Sequence, residues 1–223
     1  MPYGGGVEYA DAPFAIFMEQ AKVIDGKVLI IPTASAQPDA GQDTKTTLEN
    51  YGIPCSIMPG VQIIKGNPDK LENNMDNYLP LRQTIEANDD QESYKDVKTI
   101  WFCGGKQRRI AAVFVNNPFW LNLLEQLELV GGTSAGASIM SAQMIAYTDP
   151  KTNQPVMQEG LGLTQWVIDQ HIDEMPHRLN RDKIIHKNTK LNVIALPTNS
   201  GVIIEFDTDE IIKTFGQDPI YTI

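Results

Sequence analysis

The sequence is poor in cysteine and histidine, and it contains no long apolar run. Its two cysteines, Cys55 and Cys103, lie far apart and match no metal-binding spacing, so we expect buried thiols in a reducing compartment. No apolar run reaches the roughly 18 residues that a membrane-spanning helix needs. No basic segment followed by an apolar one marks an export signal either. Together these absences predict a cytoplasmic protein without a structural metal site.

Basic side chains are also scarce. The chain has 18 lysines and arginines against 28 aspartates and glutamates, which gives a formal net charge of -10. A negative protein repels the phosphates of nucleic acids and anionic lipids, so neither is an expected partner. The densest acidic run, residues 86–92, is typical of a solvated face or loop.

Length and composition are those of an ordinary globular protein. The 223 residues fit one domain of the larger α/β kind, and 42% of them are hydrophobic. We therefore predict a single domain over residues 1–223, with no cofactor. The polar residues 65–92 are expected to form an exposed connection. Gly4-Gly5-Gly6 has the composition of a loop that follows a strand, which is consistent with a chain trimmed at its start.

Apolar strand patterns alternate with helical patterns along the chain. The predicted strands are residues 27–32, 56–58 or 61–64, 97–105, 127–130 and 166–170, and the predicted helices are residues 11–21, 43–51, 107–115, 119–126 and 135–145. Such alternation is typical of a mostly parallel sheet covered by helices on both faces. Ligands on these folds bind at the carboxyl ends of the strands, so residues that follow the strands can meet in one crevice.

The pattern Gly132-x-Ser134-x-Gly136 indicates a nucleophile elbow, a sharp turn from strand to helix that exposes its middle side chain. The pattern arises by chance in roughly one chain in ten or twenty of this length, so its context carries the argument. That context is an apolar strand before the pattern and a helix rich in alanine after it. The sequence therefore predicts Ser134 as a nucleophile.

A serine nucleophile needs a nearby base, normally an imidazole. The chain has three histidines. His171 follows an apolar strand, which is where a catalytic side chain is displayed, and His177 is a second candidate nearby. His186 lies among lysines and asparagine and is expected at the surface.

Three motifs follow one another along the chain: Gly104-Gly105-Lys106-Gln107, Gly131-Gly132-Thr133-Ser134-Ala135-Gly136-Ala137, and Gly160-Leu161-Gly162-Leu163 leading to Asp169-Gln170-His171. Their order and approximate spacing resemble those of the cyanophycinase and dipeptidase E family of serine peptidases. The resemblance runs from about residue 28 to residue 215. It implies a three-layer α/β/α fold like that of the class I glutamine amidotransferases.

The resemblance also assigns roles to individual residues. It implies Ser134 as the nucleophile, His171 as the general base, and the amides of Gly105 and Ala135 as the oxyanion hole. The residues that it implies for substrate binding are Gln107, Asp169, Gln170 and, with one residue inserted after His171, Arg178 and Arg181.

The chain departs from the family pattern at two points that bear on mechanism and substrate. Thr198 stands where the family carries its catalytic carboxylate, so the acid that orients the base is expected elsewhere, at Asp149 or alternatively at Glu205. Lys106 replaces an acidic residue beside the cleft. A cation there repels an arginine-bearing chain and attracts a carboxylate, which disfavours the aspartate and arginine polymer as substrate.

We predict a serine exopeptidase that hydrolyses small peptides with an acidic or β-aspartyl residue through an acyl-enzyme. Two other functions remain open from the sequence: a binding protein that keeps the elbow as a scaffold but has lost activity with its acid, and a serine hydrolase of non-peptide esters or amides. The expected partner is a small peptide substrate, and a homodimer is left open.

Overall fold

A computed structural model describes residues 2–3, 12–35, 37–58, 79, 81–83, 94–124, 126–175 and 177–222. The helices with defined bounds are α1 (Ala12–Val23), α2 (Gln42–Asn50), α3 (Gln107–Phe114), α4 (Pro118–Leu124), α5 (Ala135–Ser138) and α6 (Arg178–Thr189). The strands are β1 (Pro2–Tyr3), β2 (Lys27–Ile31), β3 (Cys55–Ile57), β4 (Val97–Phe102), β5 (Leu129–Thr133), β6 (Gln143–Thr148), β7 (Pro155–Glu159), β8 (Val167–Gln170), β9 (Val193–Leu196), β10 (Gly201–Ile204), β11 (Ile211–Phe215) and β12 (Ile220–Thr222).

The central sheet has the strand order β11-β10-β1-β5-β4-β2-β3. Its strands β1, β5, β4, β2 and β3 are paired in parallel, and β10 and β11 complete one edge in antiparallel pairing. Parallel strands are joined by helices that cross the faces of the sheet, which explains the alternation of strand and helix in the sequence. The mostly parallel sheet predicted from the sequence is confirmed.

Both faces of this sheet are covered, as the side chains of β2 illustrate. Val28 and Ile30 belong to a buried cluster with the apolar side chains of α1 and α2. Leu29 and Ile31 point the other way, into a larger cluster with α3, α4 and α5. Burying an aliphatic side chain of this size stabilises the fold by about 1.5–3 kcal/mol, so a strand with no polar face needs a helical layer on each side. The three-layer α/β/α sandwich is therefore confirmed.

Two smaller sheets lie beside the central one. Strands β8 and β9 pair in parallel, and β12 pairs with β9 in antiparallel fashion. Strands β6 and β7 form an antiparallel hairpin. Ile145, Val167, Ile185 and Val193 form a buried cluster that joins β6 and α6 to β8 and β9. This cluster packs the amino end of β8 against β6 and α6, and His171 follows at the other end of the strand.

One helix predicted from the sequence is wrong. Residues 135–145 were expected to be helical, but α5 ends at Ser138 and the chain enters β6 at Gln143. The backbone of Ala142 accounts for the change, because its N–H donates to Thr164 O over 2.7 Å and its carbonyl accepts from Gly160 N over 3.0 Å. These long-range bonds replace the helical ones and lead the chain into the hairpin.

Other expectations concern the strands and the surface. The strand expected at 56–58 or 61–64 lies at Cys55–Ile57. Three other stretches with expectations lie outside the described residues: 4–6, 61–64 and most of 65–92. Cys55 and Cys103 are both free, with Cys103 buried and Cys55 half-buried. Among the described residues, none of the helices combines the length and apolar character that a membrane crossing requires.

Candidate active site

Ser134 occupies the tight turn between β5 and α5. Its backbone has φ 51° and ψ -115°, a conformation that is disfavoured for any residue with a side chain. The flanking glycines allow the turn to form. A Cβ at Gly136 would lie 2.2 Å from Phe102 O, and one at Gly132 would lie 2.4 Å from Gly136 O. The hydroxyl of Ser134 is therefore held by close backbone packing at the end of a central strand.

His171 brings its ring to this hydroxyl. Its Nε2 lies 3.0 Å from Ser134 Oγ, which is a hydrogen-bond distance. The residue follows β8 directly and has φ 60°, so the chain bends sharply where β8 ends. The other two histidines lie elsewhere: His177 is exposed at the start of α6, and His186 Nδ1 donates to Leu191 O over 3.0 Å. Of the three histidines, His171 is the one that contacts Ser134.

The backbone amides expected to form the oxyanion hole are those of Gly105 and Ala135. The Gly104-Gly105 loop lies against the serine, because a Cβ at Gly104 would be 3.4 Å from Ser134 Cβ. Gly105 has φ 139°, and a Cβ there would collide with Ala34 O at 2.4 Å. Within the described part of the chain, no acceptor pairs with the N–H of Gly105 or of Ala135. Both amides can thus donate to a negative charge that develops beside Ser134.

The acid expected at Asp149 is not beside His171. Asp149 lies in the turn between β6 and β7, where its Oδ1 accepts from Lys151 N over 2.8 Å and this bond lowers its pKa. Glu205, the alternative, lies in the connection from β10 to β11, where its N–H donates to Glu210 O. The carboxylate that approaches His171 is Glu174, with Oε2 at 3.8 Å from Nδ1. Glu174 was missed from the sequence, although its spacing of three residues after the histidine is visible there.

The family model described as Peptidase family S51 matches residues 81–213, which include every residue of the site described above. This chain belongs to peptidase family S51. It is therefore a serine peptidase, as the sequence predicted.

Among curated proteins, this S51 peptidase is similar to the cyanophycinase of Geminocystis herdmanii, with 26% identity over 213 residues that cover 88% of this chain and 68% of the relative. It is also similar to the cyanophycinase of Synechococcus elongatus, with 25% identity over 210 residues that cover 90% of this chain. That alignment spans 57% of the relative's length, which is less than two thirds.

Two solved structures share the fold of this S51 peptidase. One is a peptidase from an acI-B1 Actinobacterium, with a TM-score of 0.64 and 19% identity over 97% of this chain and 86% of that one. The other is a putative peptidase E protein from Listeria monocytogenes EGD-e, with a TM-score of 0.56 and 16% identity over 92% of this chain and 93% of that one. At these identities the similarity establishes the architecture.

Most of the side chains expected to bind substrate make hydrogen bonds or ion pairs with other residues of the S51 peptidase. Asp169 is 3% exposed and pairs with Arg181, and its Oδ1 lies 3.7 Å from Arg178 Nη1. Arg178 also donates to Gln170 O over 2.6 Å. The buried amide of Gln170 donates to Ser138 Oγ. We correct the sequence-based expectation accordingly: Asp169 and Gln170 lie in the interior, where they orient α6 and the backbone that leads to His171.

Gln107 is the remaining residue expected to bind substrate. Its half-buried side chain donates from Nε2 to Ile145 O over 2.8 Å, which ties the start of α3 to β6.

Within the described ranges, no group of three histidine, cysteine, aspartate or glutamate side chains is arranged to hold a metal ion.

A second buried carboxylate, that of Asp182, interacts with Asp169 and its two arginine partners. Asp182, on α6, is 0% exposed. Its burial raises its pKa to about 8, and the negative charge of Asp169 adds to this effect, while Arg181 and Arg178 oppose it. The folded protein therefore holds a proton on Asp182 at pH values where the unfolded chain has lost it.

The stability of this S51 peptidase should therefore fall as the pH rises from about 4 to 8. A single such group contributes a slope of about 1.4 kcal/mol per pH unit, because the unfolded state binds fewer protons than the folded state in that interval. Asp182→Asn should flatten the slope and raise the free energy of unfolding at pH 8 by about 1–3 kcal/mol. Urea unfolding of both proteins at pH 5, 6.5 and 8 measures the difference.

The matched control is Asp39→Asn, which changes an exposed aspartate in the same way. It should leave the pH profile of the wild type unchanged. Parallel profiles for the wild type and Asp182→Asn would show that Asp182 does not hold this proton.

Proposed function

We propose that this protein is a serine exopeptidase that releases an acidic residue, aspartyl or β-aspartyl, from the end of small peptides through an acyl-enzyme. The observation that carries the proposal is the 3.0 Å contact between Ser134 Oγ and His171 Nε2 in a turn that holds the hydroxyl clear of its own strand. A serine is a weak nucleophile unless a base removes its proton, and this contact supplies the base.

The steps of the reaction follow from these groups. Ser134 Oγ attacks the peptide carbonyl carbon while His171 Nε2 takes the hydroxyl proton. The carbonyl oxygen becomes an anion that accepts hydrogen bonds from the amides of Gly105 and Ala135. One such donor contributes about 3–4 kcal/mol to the stability of the transition state. His171 then gives the proton to the leaving amine, and a water molecule deprotonated by His171 hydrolyses the acyl-enzyme and restores Ser134.

Support for an acidic substrate comes from the cations that follow the glycine loop. Lys106 is exposed and comes directly after Gly105. The guanidinium of Arg108 lies 5.3 Å from the ring centroid of Tyr147. In the described part of the chain, no carboxylate pairs with Arg108, in contrast to Arg178 and Arg181, which Asp169 neutralises. A half-buried cation without a counter-ion favours a ligand that carries a carboxylate.

One further contact connects this cation to the rest of the site. Tyr147 and Thr148 are neighbours at the end of β6, and Thr148 Oγ1 lies 3.2 Å from Arg181 Nη1. The end of β6 therefore lies between Arg108 on α3 and the cluster that precedes His171. We expect the carboxylate of a bound peptide to lie near Arg108.

The test combines an active-site probe with a panel of dipeptides. We expect a fluorophosphonate to label the wild type, with the adduct mapped to Ser134 by mass spectrometry. Asp-Leu or β-Asp-Leu should be hydrolysed with a kcat/KM at least about tenfold above that of Asn-Leu, which differs only in the charge. Arg108→Leu should remove most of this preference through KM, whereas Lys187→Leu, which deletes an exposed cation at the far end of α6, should retain it.

Each negative result has its own meaning. A folded wild type that neither reacts with the probe nor cleaves any dipeptide would favour a binding protein on this scaffold. Labelling at Ser134 together with cleavage of esters alone identifies a non-peptide hydrolase. Equal rates for Asp-Leu, β-Asp-Leu and Asn-Leu would refute the acidic specificity but not the serine mechanism.

A further inference from the structure

The Nδ1 atom of His171 lacks a hydrogen-bond acceptor in the contact between His171 and Ser134. The proposed mechanism needs Ser134 O–H to donate to Nε2 across the 3.0 Å contact, so a neutral imidazole must carry its own proton on Nδ1. Nδ1 is buried, and within the described residues it has no hydrogen-bond partner. A buried donor without an acceptor is costly, and an imidazole free to turn is a poor base. The site thus needs an acceptor on the Nδ1 side of the ring.

Glu174 is the side chain in position to supply it. The residue lies three positions after His171 in a turn closed by the hydrogen bond from Met175 N to His171 O, which measures 3.0 Å. This turn folds the carboxylate back to the ring, with Oε2 at 3.8 Å from Nδ1. A hydrogen bond requires about 2.7–3.2 Å, so the gap to close is under about 1 Å, and catalytic hydrogen bonds often tighten only when substrate binds.

Thr198 holds Glu174 from the other side. Its Oγ1 lies 3.0 Å from Glu174 Oε1 and also 3.0 Å from Asp173 Oδ1. Asp173 Oδ1 already accepts from Thr198 N over 2.8 Å. The single hydroxyl proton of Thr198 lies within reach of both carboxylates. A hydrogen bond from Thr198 to Oε1 leaves Oε2 available to His171.

We propose that Glu174, held by Thr198, positions His171 by accepting its Nδ1 proton and so acts as the third member of the triad. This inference rests on the proposed serine mechanism. The carboxylate of Asp149, the acid favoured from the sequence, is hydrogen-bonded within its own turn, and Glu205 lies in the connection from β10 to β11. The Glu174 side chain is 56% exposed, so water screens its charge, and its contribution should be smaller than that of a fully buried acid.

The kinetic test compares Glu174→Gln with two further variants. Glu174→Gln should lower kcat by about 10²–10³-fold and change KM little, because the lost interaction orients the base and does not touch the substrate. Glu174→Asp keeps the charge on a shorter side chain and should retain more activity than the glutamine variant. Glu128→Gln is the matched control, since that side chain is also 56% exposed and lies on the loop before β5. It should behave as the wild type.

A spectroscopic readout tests the contact independently of hydrolysis. With three histidines in the chain, the His171 signals can be assigned by comparison with a His171→Gln variant. ¹⁵N NMR of the wild type and Glu128→Gln should show the proton on Nδ1 with a downfield N–H resonance. In Glu174→Gln that resonance should weaken or move upfield. The contact is thus measurable even in a wild type that cleaves nothing, where only the proposed function fails.

Three results would overturn the proposal. The first is a kcat for Glu174→Gln within about threefold of the wild type in an active enzyme. The second is a larger loss in Asp149→Asn or Glu205→Gln, which would locate the acid there. The third is a His171 N–H resonance that is identical in Glu174→Gln and the wild type.

Discussion

Replacing Ser134 by alanine is expected to lower kcat/KM for the best acidic dipeptide by about 10⁴–10⁶-fold. The variant keeps the oxyanion amides and the cations near the cleft, so it should bind substrate with nearly unchanged affinity. What it loses is the oxygen that forms the acyl-enzyme, together with the partner of His171 Nε2 at 3.0 Å. Steady-state kinetics and isothermal titration calorimetry with the same dipeptide separate these two effects.

The fold of the Ser134→Ala protein should be intact, because the serine side chain makes no capping hydrogen bond to α5. Ser56→Ala serves as the control, since that serine lies in β3 at the opposite edge of the central sheet from β11. It should show full activity and full labelling by the fluorophosphonate. Residual activity above about 1% in Ser134→Ala would indicate a different nucleophile, and the proposed mechanism would then be wrong.

Substitution of Gly136 by alanine should have the largest effect on folding. The new methyl group would lie 2.2 Å from Phe102 O and 2.7 Å from Phe102 Cβ. Phe102 cannot retreat easily, because β4 is paired on one side with β2 and on the other with β5. We expect the free energy of unfolding to fall by about 3–5 kcal/mol, with loss of probe labelling as the serine turn shifts.

Urea unfolding and fluorophosphonate labelling measure the two consequences of Gly136→Ala. The control is Gly52→Ala, where a Cβ meets no atom within 4 Å and the cost is limited to backbone strain at φ 73°. That strain is about 1–2 kcal/mol and should leave labelling unchanged. If Gly136→Ala is no less stable than Gly52→Ala, β4 can shift to make room for the methyl group. The claim that close packing against Phe102 requires a glycine at position 136 would then be wrong.

Much of the central sheet could be predicted from local patterns. The unbroken apolar run of β2 indicates a strand covered on both faces, and the structure packs alternate side chains of β2 against different helical layers. Local patterns failed just after the elbow. Alanine, methionine and isoleucine favour a helix over residues 135–145, but the bonds of Ala142 to Thr164 and Gly160 end it early. Partners about 20 residues away are not visible in a local pattern.

Two of the residues expected to bind substrate, Asp169 and Gln170, lie in the interior for a related reason. Asp169 and Gln170 end a strand, and polar residues at strand ends are often displayed to ligands. Here β8 belongs to a second sheet, and α6 covers its end with Arg178 and Arg181. The burial of these polar side chains depends on how α6 docks, which the sequence of β8 does not encode.

The sequence by itself determined the family, the parallel sheet and the glycines that allow Ser134 to lie on a strained turn, because each depends on residues close together in the chain. The tertiary structure decided which carboxylate lies nearest His171. That choice depends on Thr198, which comes from the loop after β9 and reaches Glu174 across 24 residues of sequence. Spacing from the serine favoured Asp149, whereas the turn after His171 brings Glu174 to the ring and the pairing of β8 with β9 brings Thr198 to Glu174.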